Sequence, residues 1–185
     1  MIKYPDKIKK SNNTNTYINY ANRGMSLEHD INITNNYYLE KNIAIIYKKP
    51  TPIQVVEKVN EKITSAYFKA PSTTDYNGLY KGKYIDFEAK ETTSKTSFPL
   101  SNIHPHQIKH IQNIIEHQGI AFIIIRFTTL NLTYLLCGRD FINFIKENKR
   151  KSIPFSFFKE HAYLIKEKLA PRIDYLQIID EIWSL

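Results

Sequence analysis

The chain has little of what a disulfide-bonded, zinc-binding or membrane-spanning protein needs. Its 185 residues include a single cysteine, Cys137, which excludes an intramolecular disulfide and a cysteine-based zinc cluster. The longest apolar run, residues 120–125, is far shorter than the ~20 residues of a transmembrane helix. The first residues lack the apolar segment of a signal peptide. We therefore expect a cytoplasmic protein with no membrane partner.

Acidic residues are also in deficit. Lysine and arginine number 26 against 18 aspartates and glutamates, which gives a formal net charge of +8 and a pI of about 9.4. Such an excess favours a polyanionic partner such as nucleic acid, although the same charge can serve solubility alone. Hydrophobic residues make up 42% of the chain, enough for a folded core.

The N-terminal region differs in composition from the rest. Residues 1–22 combine lysines with a polar run and few branched apolar residues, which predicts a mobile basic N-terminal arm. Residues 23–185 contain no visible repeat or boundary, and their length fits a single domain. Within them, residues 57–66 are charged without periodicity and are predicted to form a protruding, stalk-like loop.

Helical and strand patterns alternate along this domain, which predicts an α/β fold with a mixed central β-sheet flanked by helices. Helices are expected at residues 26–41, 105–118, 140–149 and 174–184, and strands at residues 43–47, 53–56, 84–90, 120–127 and 132–137. Residues 120–127 are apolar on both alternations, as in a strand that is covered on both faces.

The strand at residues 84–90 alternates strictly between apolar and charged side chains. The apolar set is Ile85, Phe87 and Ala89, and the charged set is Asp86, Glu88 and Lys90. Successive side chains of a strand point to opposite faces, so one face is apolar and the other is charged. A half-exposed strand with a solvated outer face shows the same pattern, and this strand alone does not identify a site.

The preceding residues supply a partner strand. A two-residue turn at residues 81–82 pairs residue 80 with residue 83, and it places Asp75 opposite Glu88 and Thr73 opposite Lys90. Opposed Cβ atoms lie roughly 4.5–5.5 Å apart, and two carboxylates at that distance repel unless a cation lies between them. This register therefore predicts a cation site.

A competing turn at Asn77-Gly78 is locally the stronger signal and would separate the two carboxylates. It would also leave residues 79–91 too long for the strand before them. We therefore favour the turn at residues 81–82, with Gly78 accommodated as a β-bulge.

Hard divalent cations such as Mg²⁺ take oxygen ligands, so Asp75, Glu88 and Thr73 form a coherent set with water. Lys90 shares the face of Glu88 and is placed to neutralise charge that develops on a phosphate. The pattern outlines a site for phosphodiester hydrolysis.

Six segments together resemble the RecU family of Holliday junction resolvases, and the Asp75 … Glu88-Ala89-Lys90 pattern is that of the wider PD-(D/E)XK nuclease superfamily. The segments cover most of the chain and are residues 23–28, 48–54, 72–78, 84–92, 95–100 and 171–176.

The resemblance implies a restriction-endonuclease-like nuclease domain whose metal ligands are Thr73, Asp75, Glu88 and Gln107, with Lys90 stabilising the transition state. It also implies a Mg²⁺-dependent homodimer that resolves four-way DNA junctions by paired symmetrical nicks, with a recombinase as a further partner. Gln107 is assigned by the resemblance alone. The sequence departs from the family between residues 54 and 67, where relatives carry a longer basic stalk that enters the junction.

Basic residues outside the hairpin are candidates for DNA contacts. Arg23, Lys48 and Lys49 are predicted to contact phosphates, against the alternative of ordinary surface charge. The roles of Asp86 and Glu28 stay open. Each either belongs to the metal site or is a solvated acid, and Glu28, in the first turn of a helix, would also interact favourably with the helix dipole.

Three other hypotheses stay open. One is zinc binding by His104, His106 and His110, which lacks a cysteine or a fourth nearby ligand. The second is another repair or restriction nuclease of the same superfamily. The third is a junction-binding or recombinase-modulating protein without catalysis, which an intact acid-acid-lysine set disfavours.

Overall fold

The computed structural model describes residues 26–69 and 73–184. The strands are β1 (Ile45–Lys48), β2 (Ile53–Val59), β3 (Lys62–Phe68), β4 (Tyr76–Tyr80), β5 (Lys83–Thr92), β6 (Ser97–Pro99), β7 (Ile120–Phe127), β8 (Leu132–Cys137), β9 (Ser152–Pro154) and β10 (Tyr163–Ile165). The α-helices are α1 (Leu27–Glu40), α2 (Pro105–Glu116), α3 (Gly138–Glu147), α4 (Phe155–His161) and α5 (Tyr175–Trp183), and a short 3₁₀ helix spans Leu100–Asn102.

A six-stranded mixed sheet forms the centre of the protein, in the order β1-β4-β5-β7-β8-β10. Strands β5 and β7 are parallel and are joined by a crossover that contains α2, while the other neighbours are antiparallel. The predicted α/β class with a mixed sheet between helices is confirmed. Two small sheets, β2-β3 and β6-β9, stand apart from it.

Each face of the sheet is covered by its own apolar cluster. Helices α1 and α5 cover one face, and helices α2, α3 and α4 cover the other. Every residue of β7 is buried, as its apolar run predicts. Phe87 of β5 stacks between Tyr76 and Phe122, with ring centroids 4.9 and 4.7 Å apart. These contacts make β5 a rigid element in the middle of the sheet.

The hairpin of β4 and β5 has the predicted register. Tyr80 pairs with Lys83, and the two turn residues have positive φ angles, as a two-residue hairpin turn requires. The bulge predicted at Gly78 is wrong, because this glycine pairs regularly with Ile85. Its role is close packing: a Cβ there would lie 2.0 Å from the Ile45 carbonyl oxygen of β1.

The loop predicted at residues 57–66 is also wrong. Strands β2 and β3 form an antiparallel hairpin here, with its turn at Asn60 and Glu61. Nearly all of its side chains are exposed, so neither face shows the apolar alternation by which a strand is recognised. The sequence patterns also do not indicate β6, β9, β10 and α4, which are short elements.

Two predictions lie outside the described residues, namely the mobile arm at residues 1–22 and the phosphate contact at Arg23. Within residues 26–69 and 73–184, no helix is long and apolar enough to span a bilayer.

Candidate active site

Asp75 lies immediately before β4, against β5. Its carboxylate accepts a hydrogen bond from the Ala89 backbone N–H at 3.0 Å, and its carbonyl oxygen accepts one from the Lys49 backbone N–H at 2.8 Å. Regular pairing ends at Tyr76 and Phe87, so Asp75 takes the next position, beside Glu88. The structure thus brings together the two carboxylates that the hairpin register predicts.

Glu88 is fully buried on β5. Its Oε1 atom accepts a hydrogen bond from Gln107 Nε2 at 2.7 Å and forms a close ion pair with Lys90. Its Oε2 atom is buried and has no hydrogen-bond partner among the described residues. Burial, and then the negative charge of Asp75, raise the pKa of Glu88 to about 7, against the opposing effect of Lys90.

Lys90 lies beside both carboxylates and lines the adjoining cleft. Its ammonium contacts Glu88 closely and lies 3.8 Å from Asp75 Oδ2, and about a quarter of its side chain is exposed. It borders a cleft of about 330 Å³ lined by Ser26, Leu27, Glu28, Asp75, Ala89, Lys90 and Glu91. Among the described residues, this cleft lies between the start of α1 and the site residues of β5.

Gln107 lies beside the carboxylates, but its amide is turned away from the role of a ligand. Its nitrogen points to Glu88, and its oxygen accepts a hydrogen bond from the His104 backbone N–H at 2.9 Å, closing the first turn of α2. Amide oxygen and nitrogen are distinguished only by such hydrogen bonds. Coordination of a cation by Gln107 requires its amide to rotate.

Lys49 is not placed as a phosphate contact. Only 14% of its side chain is exposed, and its ammonium donates to Thr73 Oγ1 at 3.0 Å, Thr74 Oγ1 at 2.6 Å and Asp86 Oδ2 at 2.7 Å. Thr73 is exposed and is connected to Asp86 through this lysine. The prediction that Lys49 binds DNA directly is therefore not supported by the geometry.

Lys48 differs from its neighbour. About half of its side chain is exposed, and it forms an ion pair with the equally exposed Glu28 on α1. Glu28 lines the cleft. Among the described residues, the structure shows no hydrogen bond between Glu28 and the two carboxylates. A DNA contact by Lys48 is compatible with this position.

The histidines do not form a metal cluster. His110 Nε2 lies 3.1 Å from Asp86, while the rings of His104 and His106 stack on each other. Among residues 26–69 and 73–184, no group of three or more histidine, cysteine, aspartate or glutamate side chains is placed to hold a metal ion. The zinc hypothesis therefore has no structural support there.

Comparison with known proteins assigns the chain to a family. The family described as "Recombination protein U" matches residues 22–181. The chain belongs to the RecU family. It is 54% identical over 172 residues to Holliday junction resolvase RecU of Oceanobacillus iheyensis, with 89% of this chain and 88% of the relative covered. It is 48% identical over 191 residues to the protein of the same name from Streptococcus mutans, with 98% and 97% covered.

A solved structure of Hjc, a Holliday junction resolvase from Archaeoglobus fulgidus, aligns with a TM-score of 0.39 and 9% identity. The alignment covers 71% of this chain and 93% of that one. Similarity at this level decides neither fold nor function.

The donor set of this RecU chain fits a divalent cation. Two adjacent carboxylates, one with a buried oxygen that lacks a partner among the described residues, repel each other. Lys90 offsets this repulsion in part, and a divalent cation bound by both carboxylates would offset it further. Oxygen ligands of this kind suit Mg²⁺ or Mn²⁺. The residues that would hold the cation are Asp75 and Glu88, with Thr73 and Gln107 at the margin.

Proposed function

We propose that this chain is a Mg²⁺-dependent endonuclease that resolves Holliday junctions by paired symmetrical nicks. The observation that supports it most directly is the group of Asp75, Glu88 and Lys90, in which Glu88 Oε2 is buried without a partner among the described residues. Membership of the RecU family points to the same activity, because the similar curated proteins are named Holliday junction resolvases.

The residues divide the chemistry between them. Asp75 and Glu88 would hold the divalent cation, with Thr73 and Gln107 completing the ligand set. When bound, the cation supplies an activated water and offsets negative charge on the leaving oxygen.

Lys90 acts on the phosphate. Its ammonium already lies between the carboxylates and the open cleft, where the attacked phosphodiester must enter. A fixed cation at this position favours the state in which the phosphate gains negative charge, and so it lowers the barrier more than it strengthens binding.

Basic side chains bind the DNA. Lys48 and Arg23 contact phosphates, and the exposed β2-β3 hairpin, with Lys58 and Lys62 near its tip, enters the junction. Two subunits act together, each on one of the two strands that are cut, since paired nicks need two sites. The protein works in the cytoplasm alongside a recombinase.

The deciding experiment compares cleavage of a synthetic four-way junction with cleavage of linear duplex and flap DNA, with and without Mg²⁺. We expect Mg²⁺-dependent paired nicks in the junction, little cleavage of the other DNAs, and none by Asp75→Asn. Preferential cleavage of linear or flap DNA would indicate another repair or restriction nuclease. Junction binding without cleavage at any Mg²⁺ concentration would indicate a non-catalytic junction-binding protein.

A further inference from the structure

A second buried carboxylate, which the proposed chemistry does not use, lies two residues from Glu88 on the same face of β5. Asp86 is fully buried, and its Oδ2 atom accepts hydrogen bonds from Lys49 Nζ at 2.7 Å and the Tyr84 hydroxyl at 2.9 Å. Its Oδ1 atom accepts a close hydrogen bond from Thr74. With so many donors in a buried setting, Asp86 is held in one position.

Lys49 connects this carboxylate to the segment that carries two of the proposed metal ligands. Its ammonium lies 3.0 Å from Thr73 Oγ1, and its backbone N–H donates to the Asp75 carbonyl at 2.8 Å. His110 Nε2, on α2, lies 3.1 Å from Asp86 and 3.4 Å from Lys49 Nζ. One residue immediately after β1 therefore contacts both β5 and the segment before β4. Its ammonium reaches Asp86, Thr73 and Thr74, and its backbone N–H reaches Asp75.

These contacts matter because residues 73–75 precede β4 and lie outside its regular pairing with β5. Asp75 is held by the backbone N–H groups of Ala89 and Lys49, and Thr73 is held by the Lys49 ammonium. A shift of about 1 Å in a group that binds the reacting centre can cost on the order of 10²-fold in rate. The rate of cleavage therefore depends on how this segment is held.

We propose that Lys49, anchored by Asp86, is a positioning residue that sets Thr73 and Asp75 for cation binding and does not contact DNA. The inference rests on the proposed metal-dependent activity of the same site. It deepens that proposal by separating two adjacent lysines: Lys48 faces the DNA, whereas Lys49 faces the metal ligands.

The test needs one variant that removes the charge of Lys49 alone and one that removes the charges of Lys49 and Asp86 together. Loss of Lys49 alone leaves the fully buried Asp86 without its cationic partner, which is destabilising in general. The double variant Lys49→Met/Asp86→Asn removes both charges and keeps the approximate volumes. It is expected to melt at a higher temperature than Lys49→Met, and it still lacks the bond from Lys49 to Thr73.

The test uses the full-length protein and three variants: Lys49→Met, the double variant, and Lys48→Met as the neighbouring comparison. Mn²⁺ binding to the protein without DNA is measured by calorimetry, junction affinity by a salt titration without divalent cations, and cleavage by single-turnover rates at saturating junction. Both Lys49 variants should bind Mn²⁺ ~10–100-fold more weakly, as expected when the support of a metal ligand is removed. Cleavage at limiting cation should slow by about 10²-fold.

Junction binding separates positioning from DNA contact. Both Lys49 variants should keep the wild-type affinity and salt dependence, whereas Lys48→Met should weaken binding and reduce the slope of log affinity against log salt by ~0.9. Wild-type Mn²⁺ binding by the double variant would overturn the inference. So would Lys49→Met with weaker junction binding, a shallower salt slope and an unchanged rate.

The proposed function itself is tested separately by Asp75→Asn. Mn²⁺ binding and cleavage that survive in Asp75→Asn would refute the metal site as a whole. If Asp75→Asn loses both while the two Lys49 variants behave as wild type, the metal site stands and only the role of Lys49 is refuted.

Discussion

Two β-hairpins of this chain share a turn type and differ in almost everything else. The β4-β5 turn has positive φ angles at Lys81 and Gly82 (47° and 76°), and the β2-β3 turn has them at Asn60 and Glu61 (47° and 61°). Such angles at both central residues match the twist of two antiparallel strands. Local turn chemistry therefore closes both hairpins but does not decide their use.

Burial decides it. Strand β5 is paired on both sides and stacked in the core, whereas β2 and β3 form a separate two-stranded sheet among the described residues. Val56 and Phe68 are 64% and 75% exposed, while Ile85 and Phe87 are fully buried. A catalytic group needs fixed geometry, which the inner hairpin supplies. The proposed contact with branched DNA instead uses the β2-β3 hairpin, which is exposed.

The largest effect is expected when a carboxylate of the inner hairpin loses its charge. Glu88→Gln and Asp75→Asn should each reduce single-turnover junction cleavage by roughly 10³-fold or more, since each removes a charged ligand from the site. Junction binding without metal should stay near the wild type. Because ionised Glu88 is destabilised by burial and by Asp75, Glu88→Gln should melt no lower than the wild type at neutral pH. Cleavage retained by both variants would contradict the assignment.

Lys90 is expected to have the next largest effect. Lys90→Ala should slow single-turnover cleavage by about 10²-fold, a typical loss for one electrostatic contact to the transition state, and should barely change junction affinity. Lys90→Arg keeps the charge without the compact ammonium and should restore activity only in part. A normal rate with weaker binding would make Lys90 a peripheral phosphate contact.

The contrast between the hairpins also explains how much of the fold the sequence can predict. Two patterns indicate strands correctly, namely the strict alternation of residues 84–90 and the apolar run of residues 120–127. Each pattern reflects the way in which its strand packs in the sheet. The β2-β3 hairpin buries neither face, so its sequence has no period of two and looks like a charged loop. The bulge prediction at Gly78 is wrong because this glycine packs against a neighbouring strand, and strand order is not visible in local sequence.

The same limit applies to the site. Turn geometry at residues 81–82 is enough to place Asp75 beside Glu88, because their relation is set within one hairpin. Lys48 and Lys49 look alike in sequence, and their different exposures and ion-pair partners depend on the pairing of β1 with β4. Alternation along β1 puts Lys49 on the face of Tyr47, which pairs with Asn77, which pairs with Asp86. That signal becomes usable only when the strand order is known.

A smaller effect, on stability, is expected at Gly78. In Gly78→Ala the new Cβ would approach the backbone of β1, including the Ile45 carbonyl oxygen at 2.0 Å, and no flexible side chain can give way there. Overpacking of this kind costs about 1–3 kcal/mol of unfolding free energy. Chemical denaturation of Gly78→Ala beside Val56→Thr, on the outer hairpin, measures the difference. The Val56 variant should change stability by no more than ~0.5 kcal/mol, and equal losses in the two would contradict the distinction between a buried and an exposed hairpin.

The smallest effect is expected at the tip of the outer hairpin, and it concerns binding alone. Lys58 and Lys62 are exposed on β2 and β3, on either side of the turn at residues 60–61. If this hairpin enters the junction, Lys58→Gln/Lys62→Gln should weaken junction affinity several-fold and reduce the salt slope by up to ~1.8, or ~0.9 for each phosphate that is no longer neutralised. Linear duplex affinity should change less, because only the junction has a branch point for the hairpin to occupy. The matched control, Lys146→Gln/Lys149→Gln, makes the same change in net charge at exposed positions on and after α3. Equal losses in the two double variants would show that net charge, and not the position of the hairpin, determines junction affinity.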